Sequence, residues 1–221
     1  MRAIAIDGPA GAGKSSIAKI LAKRMGYIYV DTGALYRAVG YFVVSRGIAT
    51  TDSDNVIKCL DLIDVQLKYV DGQQRVFIND EDVSEKIRTA EISMAASNVS
   101  AIPKVREFLF GLQQDIAKTN NVVMDGRDIG TVVLPNAEVK IFLTASPEER
   151  AKRRYKELIE KGQTATYEDV LADVKTRDHN DSTRATAPLK QADDAVLVDT
   201  SDLDFEQSVE ALYKIAKEIG E

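Results

Sequence analysis

Gly8 to Ser15 read GPAGAGKS and follow directly on the apolar run AIAID. The segment satisfies G-x-x-x-x-G-K-[ST] at each fixed position. Glycines let the backbone turn tightly enough for successive amides to point inward. A lysine in the last turn neutralises outer phosphates, and the hydroxyl after it is an oxygen ligand for magnesium. Beyond the loop, Ile17, Ile20, Leu21 and Met25 recur at helical spacing up to Gly26. Strand, glycine loop and helix form the context that turns such a match into a nucleotide-phosphate site rather than a glycine turn with an exposed lysine. The expected cradle is Gly8, Pro9, Ala10, Gly11, Ala12, Gly13, Lys14, Ser15 and Ser16, holding ATP or GTP. Ser15 is the expected Mg2+ ligand. Asp125, at the end of a later apolar strand, either orders the metal's water or makes a strand-end hydrogen bond.

The strand-then-helix unit recurs. YIYVD precedes TGALYRAVGYFVVSRG, where Leu35, Val39, Phe42 and Val43 keep the helical period, and NVVMDG, VKIFLTA and DAVLVDTS each run into a polar or helical segment. Five such strands predict an α/β fold of the three-layer α/β/α kind around a five-stranded parallel sheet. The middle of the chain breaks the rhythm. VQLKYVDGQQRVFINDEDV alternates in two arms around Asp71 and Gly72, which predicts a small antiparallel hairpin. Two amphipathic helices should follow, the second starting at Pro103 with Val105, Phe108, Leu109, Leu112 and Ile116 on one face.

Composition narrows the function. A net charge of -6 over 221 residues argues against a nucleic-acid polymer as partner, so an anion site has to be local. One cysteine, Cys59, and one histidine, His179, exclude a disulfide framework and a zinc site built from several such side chains. Cys59 is expected on an apolar helix face and His179 on a solvated one. No apolar stretch approaches a membrane span, and the expectation is a cytoplasmic protein without membrane contact. There is no guanine-reading N-K-x-D stretch of the switch GTPases, whereas a small kinase needs an acceptor pocket and a mobile cover.

Eight arginines sit where other signals converge: Arg37, Arg106, Arg127, Arg150, Arg153, Arg154, Arg177 and Arg184. The guanidinium fork matches phosphate oxygens, and an enzyme joining two polyanions needs several around the transferring group. Taken singly, each is equally an ordinary ion pair; Arg177, Asp181 and Arg184 have helical spacing of their own. Arg150, Arg153 and Arg154 share a helix face and would repel one another without an anion nearby.

DGPAGAGKS, YVDTGALYRA, VSEKIRTAEISMAAS, PKVRE, MDGRDIGTVVLPNAEVKIFLTAS, EERAKRR and RDHNDSTRATAPLKQADDAVLVDTS together resemble the bacterial cytidylate kinases, across essentially the whole chain. That resemblance implies phosphoryl transfer from ATP to CMP or dCMP, and a monomer. It implies a single kinase domain with a core at about 1–31, 119–149 and 190–221, a monophosphate-binding region at about 32–118 that carries the hairpin, and a helical lid at about 150–189. It places Arg37 and Arg127 on the acceptor phosphate with Thr32 and Tyr36 close by, Ser97, Arg106 and Asp128 on cytosine, and Arg177 and Asp181 on the sugar side. Arg184 falls near the phosphates, and Arg153 and Arg154 in the lid. Lys14, Arg127, Arg153, Arg154 and Arg184 are then the catalytic charges. Some family members have serine where this chain has Thr32. A kinase for another acceptor such as UMP, and an ATP-binding regulatory protein without transfer, remain as alternatives.

Overall fold

The computed structural model of the protein describes residues 1–160 and 162–220; Lys161, inside the expected lid segment, and Glu221 lie outside the described residues. In chain order the elements are β1 (Ala3–Asp7), α1 (Lys14–Met25), β2 (Ile28–Asp31), α2 (Thr32–Ser45), α3 (Ser53–Leu60), β3 (Val65–Val70), β4 (Gln73–Ile78), β5 (Glu81–Asp82), α4 (Ala90–Ser100), α5 (Pro103–Thr119), β6 (Val122–Gly126), β7 (Val139–Thr144), α6 (Pro147–Glu160), α7 (Tyr167–Thr183), β8 (Val196–Asp199) and α8 (Phe205–Gly220). A 3-10 turn at Lys86–Arg88 and a π-helical turn at Ile129–Val133 complete the set. The described chain forms two compact units, Met1–Tyr29 with Asn120–Glu221, and Val30–Thr119.

The large sheet has the order β2-β6-β1-β7-β8, and β1 pairs in parallel with both β6 and β7. This is the expected five-stranded parallel sheet of a three-layer α/β fold. Strand alternation sorts the two faces of β1. Ile4 and Ile6 pack with Ile17, Ala18 and Leu21 of α1 and Val209 and Leu212 of α8, all buried. Each isoleucine, leucine or valine among them contributes about 1.5–3 kcal/mol by leaving water. Ala5 and Asp7 point to the opposite face, as does Lys140, which stands beside Ala5 in the register of β7. Among the described residues, no helix is long and apolar enough to cross a membrane.

In the second unit, Leu35, Val39, Phe42 and Val43 of α2 are buried as their spacing requires, and Cys59 packs into the same core. The hairpin turns where expected. Val70 faces Gln73, and both loop residues have positive φ, 52° at Asp71 and 72° at Gly72, the geometry of a type I′ turn. The same device recurs at Asn79 and Asp80, with φ of 47° and 69°, and adds β5 as a third strand. Two residues are too short to show an alternation, so β5 left no pattern to read. In α5 the buried stripe is Val105, Arg106, Leu109 and Gln113. Phe108, expected on that face, is displaced to its flank and is 36 % exposed.

Candidate active site

In the first unit, backbone constraint builds the phosphate loop. Gly8 closes β1 with φ 149°, and a Cβ there would stand 1.9 Å from the Leu143 carbonyl oxygen of β7, so the sheet and the loop can join only through glycine. Gly13 begins α1 in the left-handed region and offers no capping side chain. The first-turn amides of α1, aligned with the positive end of its dipole, are thus available to an anion. Lys14 Nζ lies over the loop and donates to the Pro9 carbonyl at 2.7 Å. Lys14 is 5 % exposed. Burial, and then the neighbouring Arg127 cation, lower its pKa to about 7, with Asp125, Asp7 and Asp181 pulling the other way. A phosphate arriving beside Lys14 would supply the negative charge its site lacks.

Ser15 Oγ donates to Asp125 Oδ2 at 2.9 Å, which joins the start of α1 to the end of β6. Two hard oxygen donors of this kind suit Mg2+, which usually takes one or two protein oxygens and fills its octahedron with water and phosphate. Among the described residues no cluster of three His, Cys, Asp or Glu side chains could hold a metal by itself.

Next to the loop stands a knot of opposite charges. Arg127 Nε donates to Asp181 Oδ2 of α7 at 2.8 Å, and Arg127 Nη1 to the Gly126 carbonyl at 3.2 Å. Arg184, just past the end of α7, reaches Asp128 at 3.7 Å and Asp181 at 3.9 Å. Burial works against the Arg127 cation, yet Asp181 and then Asp125 and Asp7 outweigh it and raise its pKa. Arg177 shows the converse: burial, with repulsion from Arg154 and Arg127, outweighs the opposing pull of Asp173 and lowers its pKa, and its buried Nε has no hydrogen-bond partner. Lys14, Arg127, Asp125, Asp128, Asp181 and Arg184 are therefore gathered in one unit.

The three arginines of α6 diverge. Arg150, 3 % exposed, donates to the carbonyls of Ala145 and Ala10 and makes a two-pronged pair with Asp178 of α7 at 2.9 and 2.6 Å. Arg153 donates to the Thr200 carbonyl at 2.6 Å, and Arg154 to Glu157 at 2.8 Å. Their mutual repulsion is relieved by separate partners inside the protein. The Arg150 bond to Ala10 ties the phosphate loop to α7. Asp178→Asn, which removes one charged acceptor, should lower unfolding free energy by about 2 kcal/mol in urea titration, and an unchanged midpoint would refute that tie.

In the second unit, Asp31 caps α2 through a bond from Ala34 N at 3.0 Å, and its other oxygen accepts from Arg37 Nη2 at 2.7 Å. Gln74 of the hairpin accepts from Asp31 N at 2.8 Å and donates to its carbonyl at 3.3 Å, so the small sheet anchors the start of α2. Arg37 Nε is buried with no hydrogen-bond partner. Thr32 is buried at the first turn of the same helix. Arg106 is 8 % exposed, with its guanidinium 5.2 Å from the centre of the Tyr36 ring and a bond to the Ser100 carbonyl at 3.3 Å. Ser97, one turn of α4 away, accepts from Ser100 Oγ through its carbonyl. His179 is exposed on α7.

A family profile described as cytidylate kinase matches residues 4–218. The cytidylate kinase of Caldicellulosiruptor bescii is 54 % identical over 97 % of this chain and 96 % of its own length. That of Carboxydothermus hydrogenoformans is 50 % identical over 96 % of each. The chain belongs to the cytidylate kinase family. At the level of fold alone, a crystal structure of an uncharacterised protein from Eubacterium ventriosum, 13 % identical, superposes over 97 % of both chains with a TM-score of 0.54.

Within this family member, several supporting residues escaped the sequence reading. Asp31 and Gln74 hold Arg37 and the start of α2, Asp178 holds Arg150, and Thr200 receives Arg153. Only Asp31 carried a signal, as an N-cap followed by a helical period; the rest are long-range partners with no local pattern. Asp7 escaped as well: it lies beside the loop motif, 4 % exposed, and burial raises its pKa to about 6 against the lowering effect of two backbone hydrogen bonds.

Proposed function

We propose that the protein transfers the γ-phosphoryl group of ATP to CMP, and to dCMP, to give CDP or dCDP and ADP. The observation that carries the proposal is the gathering of Lys14, Arg127 and Arg184 in the unit that holds the phosphate loop, with Asp181 shared between the two arginines. A cluster of basic side chains beside a phosphate cradle suits a reaction in which charge moves from one phosphate to another.

Lys14 and the amides of α1 hold the donor phosphates. Arg37 and Arg127 bind the acceptor phosphate and orient its oxygen in line, with Thr32 and Tyr36 alongside. Arg184, Arg153 and Arg154 add positive charge around the migrating group, and segment 150–189 acts as the cover that excludes water. The acceptor phosphate is already ionised at neutral pH, so no general base is needed. Ser15 and Asp125 would hold Mg2+, whose contribution when bound is to neutralise the donor phosphates. Chelation with EDTA should abolish turnover and added Mg2+ restore it; turnover that persists in EDTA would remove the metal from the proposal.

The choice of base follows from hydrogen-bond polarity. Cytosine offers a donor at N4 and acceptors at N3 and O2, matched by Asp128 as acceptor and Arg106 as donor, with Ser97 as a further partner. Uracil reverses the polarity at C4 and N3, and mispaired buried groups cost about 1–3 kcal/mol each. Arg177 and Asp181 are assigned to the sugar. The test is steady-state turnover with CMP, dCMP, UMP and AMP at saturating ATP. CMP should exceed UMP in kcat/KM by about a hundredfold. Equal use of UMP and CMP would overturn the assignment to Asp128 and Arg106, and absence of ADP formation with every acceptor would favour a binding protein without transfer.

A further inference from the structure

None of these steps uses the carboxylate of Asp7, although it is one of the most completely buried charges of its unit. It projects from the last position of β1 on the face shared with Ala5. There Oδ1 accepts from Ile129 N and Oδ2 from Gly130 N, both at 2.7 Å. These two amides open the π-helical turn, whose N-terminal residue, Asp128, supplies no side-chain cap of its own. The Asp128 carbonyl accepts from Val132 N at 2.9 Å and Val133 N at 3.1 Å. The backbone of Asp128 is thus held through the turn on its carbonyl and through Asp7 on the two amides that follow.

The choice of residue is informative. Two successive amides 2.7 Å from one side chain need two acceptor oxygens on a short stem, which only aspartate supplies; asparagine would meet one amide with its own N–H. Burying a carboxylate is costly, and a fold needing only a closed strand end would keep an apolar residue there. A side chain at Gly130 would crowd the clamp: a Cβ there would stand 3.3 Å from Asp7 Oδ2 and 3.2 Å from Lys140 Cδ, so these neighbours would have to give by a few tenths of an ångström.

We infer that Asp7 is a positioning residue for acceptor recognition: by clamping the Ile129 and Gly130 amides it fixes the backbone of Asp128 and so aims the Asp128 carboxylate at the pyrimidine edge. The inference rests on the assignment of Asp128 to cytosine proposed above. Asp7 also lies in the field of Lys14, so a competing role as counter-ion for the phosphate loop predicts a different signature.

Full-length Asp7→Asn and Gly130→Ala disturb the clamp from its two sides. With CMP or UMP varied at saturating ATP, each should lower kcat/KM for CMP about ten- to a hundredfold, mainly through KM, and change that for UMP less than about threefold. KM for ATP should stay within about twofold, and the double variant should lose less than the product of the single losses. Val198→Ala, a core truncation in β8, controls for general destabilisation and should leave the CMP to UMP ratio unchanged. If Asp7→Asn does not accumulate folded, Gly130→Ala carries the test, since it keeps the carboxylate and crowds its approach to the turn. Equal losses for CMP and UMP, a change confined to KM for ATP, or no change at all would overturn the inference. Asp128→Asn is measured in parallel. If it shifts the ratio and the clamp variants do not, the inference alone fails; if it leaves the ratio unchanged, the base assignment fails and takes the inference with it.

Discussion

Lys14→Ala should lower kcat on the order of 10²- to 10³-fold while the protein stays folded, with stability at neutral pH equal to or above that of the parent. The catalytic loss follows from withdrawing the cation assigned above to the donor phosphates. The stability result follows from where that cation resides. Burial lowers the Lys14 pKa from 10.5 to about 7, so between those values the unfolded chain holds a proton that the folded chain has given up. Unfolding then takes up a proton, and the contribution of Lys14 makes stability rise with pH across that window. Alanine removes the slope along with the cost of burying the charge. The bond to the Pro9 carbonyl is lost as well, at about 1 kcal/mol. Urea titrations at pH 7 and pH 9 read the slope, and a coupled assay for ADP reads turnover. Full activity would sink the phosphate-loop assignment, and an unchanged slope would sink the electrostatic account of Lys14.

Asp181→Ala should produce the largest loss of stability, about 3 kcal/mol. One carboxylate serves both Arg127 and Arg184, and Arg184 keeps only 5 % of its side-chain surface in contact with solvent. Without Asp181 the two guanidiniums and Lys14 face one another with fewer counter-charges. The lower end of the range for broken buried pairs applies because Arg127 keeps 28 % of its side-chain surface exposed. Inorganic phosphate should raise the unfolding midpoint of the variant more than that of the parent, because an anion entering the cluster replaces the missing charge. A variant within about 1 kcal/mol of the parent, or one indifferent to phosphate, would show that Asp181 does not hold the cluster together.

The elements that sequence inspection anticipated are those whose cause is local. AIAID, the glycines and the apolar spacing of Ile17, Ile20 and Leu21 suffice to specify β1, the loop and α1, because each depends on backbone geometry within a few residues. The turn at Asp71 and Gly72 was legible for the same reason. Phe108 shows the limit: a helical period locates an apolar stripe only to within about one residue, and packing in the second unit turned α5 toward Arg106 and Gln113 instead. Arg150 shows another. Its spacing to Arg153 and Arg154 reveals a shared helix face, whereas the partners of each come from Asp178, Thr200 and Glu157, two of them remote in the chain.

What the amino-acid order determined unaided was the phosphate cradle, the alternation of strands and helices, the hairpin, and the presence of more arginines than a surface needs. The tertiary structure alone decided the division of labour among those charges: Arg150 is held by Asp178, Arg127 and Arg184 share Asp181, and Asp7 clamps a turn 122 residues away. The reason is that a turn or a helix is stabilised by neighbours along the chain, but a buried charge takes its energy from whatever partner the packing brings within hydrogen-bond distance, and that distance is not encoded in spacing.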